Sequence, residues 1–366
     1  MNQITEVIDL NNLIKYGASE RFFAEATLYP EMNMARVISQ YKDLYKIATE
    51  QSETLAEISG KFRYGAACLS DYPVVGDFVM VDRQDDESGN AIIHKVLTRK
   101  SAFERTAVGF SNQTQLVAAN IDIVFICMSL NNDYNLSRLE RYLSVAWNSR
   151  ATPVVVLTKS DLCDDLQSVL TEIADVAIGT DIIATSGYDQ NSCDKLLPYL
   201  KKGVSASFIG SSGVGKSTLI NRLAGEELLA TSAVREDDKG RHTTTRRELL
   251  ILPQGSIVID TPGMRELGVE SVSLSRSFPD IDELVTRCRF QDCTHTSEPG
   301  CAVRQAIESG ELDERRLENY QKLKKEARYD GLSSKQIETE KIKNMFGSVG
   351  RMKEAKDFIK QKNKRR

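Results

Sequence analysis

The sequence predicts a multidomain α/β protein in three parts, on three observations. Short strand-like segments with no long helix run to about residue 110, and strands alternate with helices from 111 to 272. A cysteine/histidine cluster and a charged helix fill 273–366. A chain of 366 residues is too long for one ordinary domain. Its 41% hydrophobic and 27% charged residues suit packed, water-soluble domains. The net charge of −4 excludes a whole-molecule electrostatic grip on nucleic acid, so any basic surface is local. The N-terminus lacks the basic-then-apolar pattern of a signal peptide, and no apolar run has membrane-spanning length. A cytoplasmic protein with no membrane partner is expected.

In the first part, "MNMARVISQYKDLYKIATE" alternates like a strand. "YPVVGDFVMVD" and "AIIHKVLTRKSAFER" are strands separated by the turn-forming "RQDDESGN". A small β-barrel follows from these pieces. Arg83, Lys95, Arg99, Lys100 and Arg105 lie in or beside its strands, where they face either an RNA backbone or plain solvent.

The middle part begins with the apolar strand "IDIVFICMSL". A helix follows with Leu136, Leu139, Leu143 and Ala146 on one face and a Ser137/Glu140 capping box at its start. Strand "PVVVLT", a helix after Asp161, strand "DIIATS", a helix near "DKLLPYLKK" and strand "VSASFIG" come next. "RELLIL" and "SIVIDT" around "PQG" form a hairpin.

Gly210-Ser211-Ser212-Gly213-Val214-Gly215-Lys216-Ser217 satisfies the phosphate-loop pattern, with a strand before it and the helix "TLINRLAG" from Thr218 after it. The glycines let backbone N–H groups converge on phosphate oxygens at a helix N-terminus. Lys216 is then the ligand of the β- and γ-phosphates, and Ser217 the ligand of Mg²⁺. Asp260-Thr261-Pro262-Gly263 ends a strand, which suits Asp260 to Mg²⁺ through water and the Gly263 N–H to the γ-phosphate. Between the two, "KGRHTTTRREL" supplies threonines for a Mg²⁺-binding switch. Thr243, Thr244 and Thr245 all qualify, and Thr244 is carried forward as the catalytic candidate.

Thr158-Lys159-Ser160-Asp161 follows a buried strand. Guanine presents N1–H and a 2-amino group on one edge, and one carboxylate, Asp161, accepts from both; adenine offers neither there. Lys159 covers the base with its alkyl stem, and Ser186 lies near the base carbonyl. Alone, the tetrapeptide also reads as a helix cap. Base recognition thus precedes the phosphate loop, the reverse of the ordinary order, and a circular permutation accounts for it. An ATP-using phosphate-loop enzyme and an RNA-binding scaffold with an unhydrolysed nucleotide are the rival classes.

Cys288, Cys293, His295 and Cys301 fall within fourteen residues, three sulfurs and an imidazole that suit one structural, four-coordinate Zn²⁺. In the third part Leu317, Tyr320 and Leu323 share a helix face. Residues 351–366 carry eight Lys/Arg against two acids.

Together "VVGDFVMV", "VLTRKSAFER", "GSSGVGKSTLIN", "GRHTTTRREL", "IDTPGMREL" and "CRFQDCTHTSEPGCAV" resemble the ribosome small subunit-dependent GTPase A family, from about Arg36 to Tyr329. The resemblance implies an N-terminal OB-fold on ribosomal RNA, a permuted GTPase domain and a zinc-binding C-terminal domain. It also implies slow hydrolysis of GTP to GDP, stimulated by the 30S subunit during its late assembly; a monomer is expected. Thr158 stands where the family usually has Asn, and Ser186-Gly187 where Ser-Ala is usual. Met264 follows the D-T-P-G motif, as an apolar residue does in the family. His242 is a candidate to orient the attacking water or, equally, an exposed switch residue.

Overall fold

The computed structural model describes residues 11–41, 44–87, 89–106, 114–131, 133–229, 247–260 and 277–329. Two short helices, α1 (Asn11–Lys15) and α2 (Glu20–Ala26), precede strands β1 (Asn33–Gln40), β2 (Tyr45–Ala48) and β3 (Glu53–Ile58). Helix α3 (Gly60–Gly65) and strands β4 (Phe78–Val81) and β5 (Ala91–Val96) follow. The strands run β1-β2-β3-β5-β4, and β4 pairs back onto β1, so they close a five-stranded barrel. Successive side chains on a strand point to opposite faces. Ala35, Val37, Ile47, Val79 and Ile93 therefore fill the barrel, while Met34, Phe78 and Met80 point outward. The outward row is apolar because α1 and α2 cover it: Leu13 and Phe22 are buried there, with the Phe22 and Phe78 rings 4.1 Å apart. Residues 11–32 are thus a lid on the barrel wall.

Strands β6 (Ala102–Thr106) and β7 (Thr114–Ala119) form a separate antiparallel pair across the expected boundary at residue 110. Then come β8 (Ile123–Ser129), α4 (Leu136–Ser149), β9 (Thr152–Thr158), α5 (Leu166–Val176), β10 (Asp181–Ala184) and α6 (Gln190–Asp194). The series ends with β11 (Ser205–Ile209), α7 (Lys216–Ala224), β12 (Arg247–Ile251) and β13 (Ile257–Asp260). The sheet order is β10-β9-β8-β11-β13-β12, parallel except for the β12–β13 hairpin. Strands buried on both faces read as continuous apolar runs. Val124, Ile126, Val155 and Leu157 pack against α4 and α5, whereas Phe125, Cys127, Val154 and Val156 pack against α6 and α7.

Strand β12 also pairs with β1, which joins barrel and α/β sheet edge to edge. Arg36 reinforces that seam. It is fully buried over the Phe78 ring, and its guanidinium donates to the carbonyls of Tyr16 and Gly76 and to the Ser205 hydroxyl. Helices α8 (Pro279–Thr286), α9 (Ala302–Glu308) and α10 (Glu314–Tyr329) make a small third core around Phe278, Ile281, Val303, Leu317, Tyr320 and Leu323.

Two sequence expectations are corrected. The cap of α4 is Asn135, whose side chain accepts the Arg138 N–H, not a Ser137/Glu140 box. Glu140 is instead fully buried and accepts from Arg316 and Asn319 of α10. The helix expected near "DKLLPYLKK" lies earlier, as α6, and only a single tight turn spans Leu197–Tyr199. Pro198 lacks the N–H that a continuing helix needs.

Candidate functional site

Strands β8, β9, β11 and β13 are mutually parallel and end on the same edge of the sheet, at Ser129, Thr158, Ile209 and Asp260. That edge is where open α/β sheets bind ligands.

The turn from β11 into α7 needs glycine. Gly210 has φ +145°, and a Cβ there would meet the Cys127 carbonyl at 2.3 Å. Gly213 and Gly215 have φ of +75° and +102°. Val214 is buried beneath the loop, whereas Ser212 and Thr218 are exposed and Ser211 and Ser217 half-buried. Lys216 folds back over the loop, its Nζ donating to the carbonyls of Gly210 and Ser211 at 2.8 and 2.7 Å.

The Thr158–Asp161 turn closes onto this loop. The Thr158 hydroxyl donates to the Val214 carbonyl at 2.6 Å, and the Lys159 ammonium to the Gly213 carbonyl at 2.9 Å. Lys159 adopts the left-handed conformation (φ +56°), which turns the chain off the strand end. The Ser160 N–H bonds the Thr185 carbonyl, and the Ser186 hydroxyl donates to Asp161 Oδ1 at 2.6 Å. The carboxylate is exposed yet aimed. The structure thus brings together Thr158, Lys159, Ser160, Asp161, Ser186 and Gly210–Thr218.

Sequence reasoning missed Asp133. Its carboxylate accepts from the Ser211 hydroxyl at 2.5 Å and from Arg138 at 2.7 Å. Partial burial pushes its pKa up, but these partners outweigh that and hold it below the usual carboxylate range. Nothing in "NNDYNL" marks this aspartate, since turns are rich in Asn and Asp.

Asp260 ends β13, opposite Glu248 in the hairpin. His242, Thr243, Thr244, Thr245, Gly263 and Met264 lie outside the described residues, as does the basic 351–366 segment.

In the third core, ligand atoms of Cys288, Cys293, His295 and Cys301 all lie within 4.8 Å of one another. His295 Nδ1 is 3.6 Å from the Cys288 sulfur and 3.5 Å from the Cys301 sulfur, and those two sulfurs are 4.0 Å apart. A tetrahedral ion with bonds of about 2.3 Å to sulfur and 2.0–2.1 Å to nitrogen needs S···N separations of about 3.5 Å and S···S of about 3.8 Å. The four residues fit one metal ion. Burial pushes the His295 pKa down, keeping a neutral ring with a lone pair. Outside the four ligands, Arg304 donates its N–H to the Cys301 sulfur and its Nε to the His295 carbonyl.

The barrel's basic residues divide. Arg99 makes a two-pronged ion pair with buried Asp77, Lys100 pairs with Asp122, and Arg83 pairs with Asp82. Arg99 and Lys100 therefore hold the fold rather than face a partner, whereas Lys95 is exposed.

A parallel sheet flanked by helices, with the Thr158–Asp161 turn locked onto a later glycine-rich loop, has the architecture of a circularly permuted GTPase. The family model for RsgA GTPase matches residues 96–270. Small ribosomal subunit biogenesis GTPase RsgA 2 of Lactiplantibacillus plantarum is 49% identical over 346 residues, 94% of this chain and 97% of that protein. The crystal structure of YjeQ from Thermotoga maritima is similar with a TM-score of 0.59 and 28% identity, over 81% of this chain and 98% of that one. That of YloQ, described as a circularly permuted GTPase, gives 0.57 and 26%, over 81% and 95%. The chain belongs to the RsgA GTPase family.

Proposed function

We propose that this protein hydrolyses GTP during biogenesis of the small ribosomal subunit, binding ribosomal RNA and turning over faster when it engages the subunit. The observation that carries the reading is the direct bonding of Thr158 and Lys159 to Val214 and Gly213. That contact supports reading the turn as guanine-selective and the glycine-rich loop beside it as phosphate-binding. In this reading Asp161 accepts from guanine N1–H and the 2-amino group, held in line by the Ser186 hydroxyl, and Lys159 covers the base. The N–H groups of Gly210–Ser217 and the N-terminus of α7 take the phosphates, with Lys216 reaching the β- and γ-oxygens. Ser217 and Asp260 hold Mg²⁺, which when bound neutralises charge developing between those oxygens. Gly263 contacts the γ-phosphate, Thr244 belongs to the switch, and His242 is a candidate to orient water where Met264 cannot.

The barrel serves as an OB-fold on rRNA, and the Cys₃His cluster as a structural Zn²⁺ site with no open position for catalysis. Gly263 lies 25 residues before Cys288, so the switch and the metal-bearing domain are directly wired in sequence. Loss of the γ-phosphate would thereby be felt in a second ribosome-binding module. No helix among the described residues is long and apolar enough to cross a membrane, and the working place of the reading is the cytoplasm, as a monomer.

Phosphate release from GTP and ATP, each with and without purified 30S subunits, tests the proposal. GTP-selective release that rises with 30S is expected. Equal use of ATP would remove the base assignment, and indifference to 30S would remove the ribosome.

A further inference from the structure

The turn between β8 and α4 touches both the Thr158–Asp161 turn and the glycine-rich loop. On one side the Leu130 N–H donates to the Thr158 carbonyl at 2.9 Å. On the other, Asp133 Oδ2 accepts from the Ser211 hydroxyl at 2.5 Å. Between these contacts the turn holds its own shape. Asn131 Oδ1 accepts from the Ser129 hydroxyl and from the Asp133 N–H, at 2.8 and 3.1 Å, and Asn135 caps α4. An Asn side chain that accepts from the backbone two residues on mimics a backbone turn and fixes it.

Arg138 completes the bracket from the first turn of α4, where its guanidinium donates to Asp133 Oδ1 at 2.7 Å. A cation there meets the positive end of the helix dipole, so the helix itself gains nothing from it. Asp133 accounts for its presence. The carboxylate is half-buried beside a loop read as taking phosphate anions, and without a counter-ion it would repel them. Ser211 is also the residue whose carbonyl accepts from Lys216 Nζ at 2.7 Å. Arg138, Asp133, Ser211 and Lys216 thus form one chain of contacts from α4 into the glycine-rich loop.

A loop with glycines at 210, 213 and 215, all at positive φ, has many backbone shapes open to it and needs an anchor from outside. We infer that Asp133 is a positioning residue for the nucleotide: through the Ser211 hydroxyl it holds the glycine-rich loop in its phosphate-receiving shape before the nucleotide arrives. It acts through Ser211 and is no phosphate ligand itself, since carboxylate and phosphate repel. The inference rests on the nucleotide-binding reading and adds a residue that none of that site's motifs contains. Apparent affinity falls with the fraction of molecules whose loop is competent. Freeing the loop should therefore weaken GDP and GTP alike and leave the choice of base untouched.

The test is a double-mutant cycle on the full chain, with calorimetric titration of GDP and a non-hydrolysable GTP analogue and melting of the nucleotide-free proteins. Asp133→Ala is expected to weaken both nucleotides about 10-fold, as when about one molecule in ten holds the loop competent. Ser211→Ala removes the same bond from the loop side and should weaken them similarly. The double variant Asp133→Ala/Ser211→Ala should be no weaker than Asp133→Ala alone, because the two residues share one bond. Asp133→Asn keeps a hydrogen bond to Ser211 and should recover most of the affinity. In Asp133→Ala, KM for GTP should rise with kcat within about 2-fold of the parent, the mark of lost binding rather than lost chemistry. Parent-like affinity in Asp133→Ala, or losses that add in the double variant, overturn the inference and leave the nucleotide reading standing. A lowered melting temperature with affinity kept makes Asp133 a fold residue and overturns it too. Should Asp133→Ala fail to fold, parent-like affinity in Ser211→Ala overturns the inference, and a 10-fold loss there with Asp133→Asn near the parent upholds it. A parent that binds neither nucleotide overturns both readings.

Discussion

The Thr158 hydroxyl reaches across 56 residues of sequence to donate to the Val214 carbonyl at 2.6 Å. That bond is where the two halves of the permuted site meet. Val214 is buried, so its carbonyl has little access to water. Thr158→Val keeps the shape and removes the donor. An unsatisfied buried acceptor costs about 1–3 kcal/mol. Titration with a fluorescent GDP analogue should show affinity falling about 10-fold, equivalent to about 1.4 kcal/mol, with Thr158→Ser close to the parent.

Arg316 lies between two elements of the third core and α4. It donates to Glu140 at 2.7 Å and grips Asp280 at 2.7 and 2.8 Å, with its guanidinium over the Phe278 ring. Glu140 is fully buried, and burial pushes its pKa up while Arg316 and Asn319 pull it back. Removing one partner of a buried pair costs about 3–5 kcal/mol. Arg316→Met should therefore destabilise the chain more than Glu140→Gln, which leaves Arg316 its Asp280 partner. The sign of the pH effect follows. With Arg316 gone, the folded-state pKa of Glu140 rises further above its unfolded value. Stability is then retained at acid pH and lost as pH rises through the raised pKa. Denaturant melts from pH 5 upward should show the Arg316→Met deficit widening, and a pH-independent deficit would contradict the account.

Arg99 and Lys95 separate structure from surface. Arg99→Ala strands Asp77, which is fully buried, and should cost about 3–5 kcal/mol in urea unfolding. Lys95→Ala should change stability by no more than about 0.5 kcal/mol. Equal effects on stability would contradict the division of the barrel's basic residues.

The Cys₃His cluster sits against a small core, so metal should contribute much of that region's folding. Elemental analysis should find one zinc per chain. Cys293→Ser should lose the metal and shift a calorimetric transition of residues 277–329 downward, with GDP affinity largely kept. A profile unchanged by metal loss would contradict a structural role.

The glycine-rich loop after β11, the Thr158–Asp161 turn that meets it and the Cys/His cluster were legible because each is a local pattern. Glycines at positive φ, an aspartate after a strand and cysteines at short spacing advertise themselves in sequence. What stayed hidden is long-range. Glu140 looked like a helix cap and is half of a buried ion pair with a residue 176 positions away. Arg99 read equally as an RNA contact or a solvated side chain and is the counter-ion of Asp77, 22 positions earlier. Asp133 had no signature because only the folded chain puts it on Ser211. Charge is easily counted in a sequence, but its partner is chosen by topology.

The most direct test of one nucleotide site built from a permuted chain is base selectivity in Asp161→Asn. An asparagine amide cannot accept two donors from guanine, but it can donate to the 2-carbonyl of xanthine. Hydrolysis by the parent and the variant should be compared with GTP and xanthosine triphosphate. The account predicts that GTP use collapses in the variant while xanthosine triphosphate use appears. A variant that still prefers GTP would show that Asp161 does not read the base, and that the Thr158–Asp161 turn and the glycine-rich loop do not share one nucleotide.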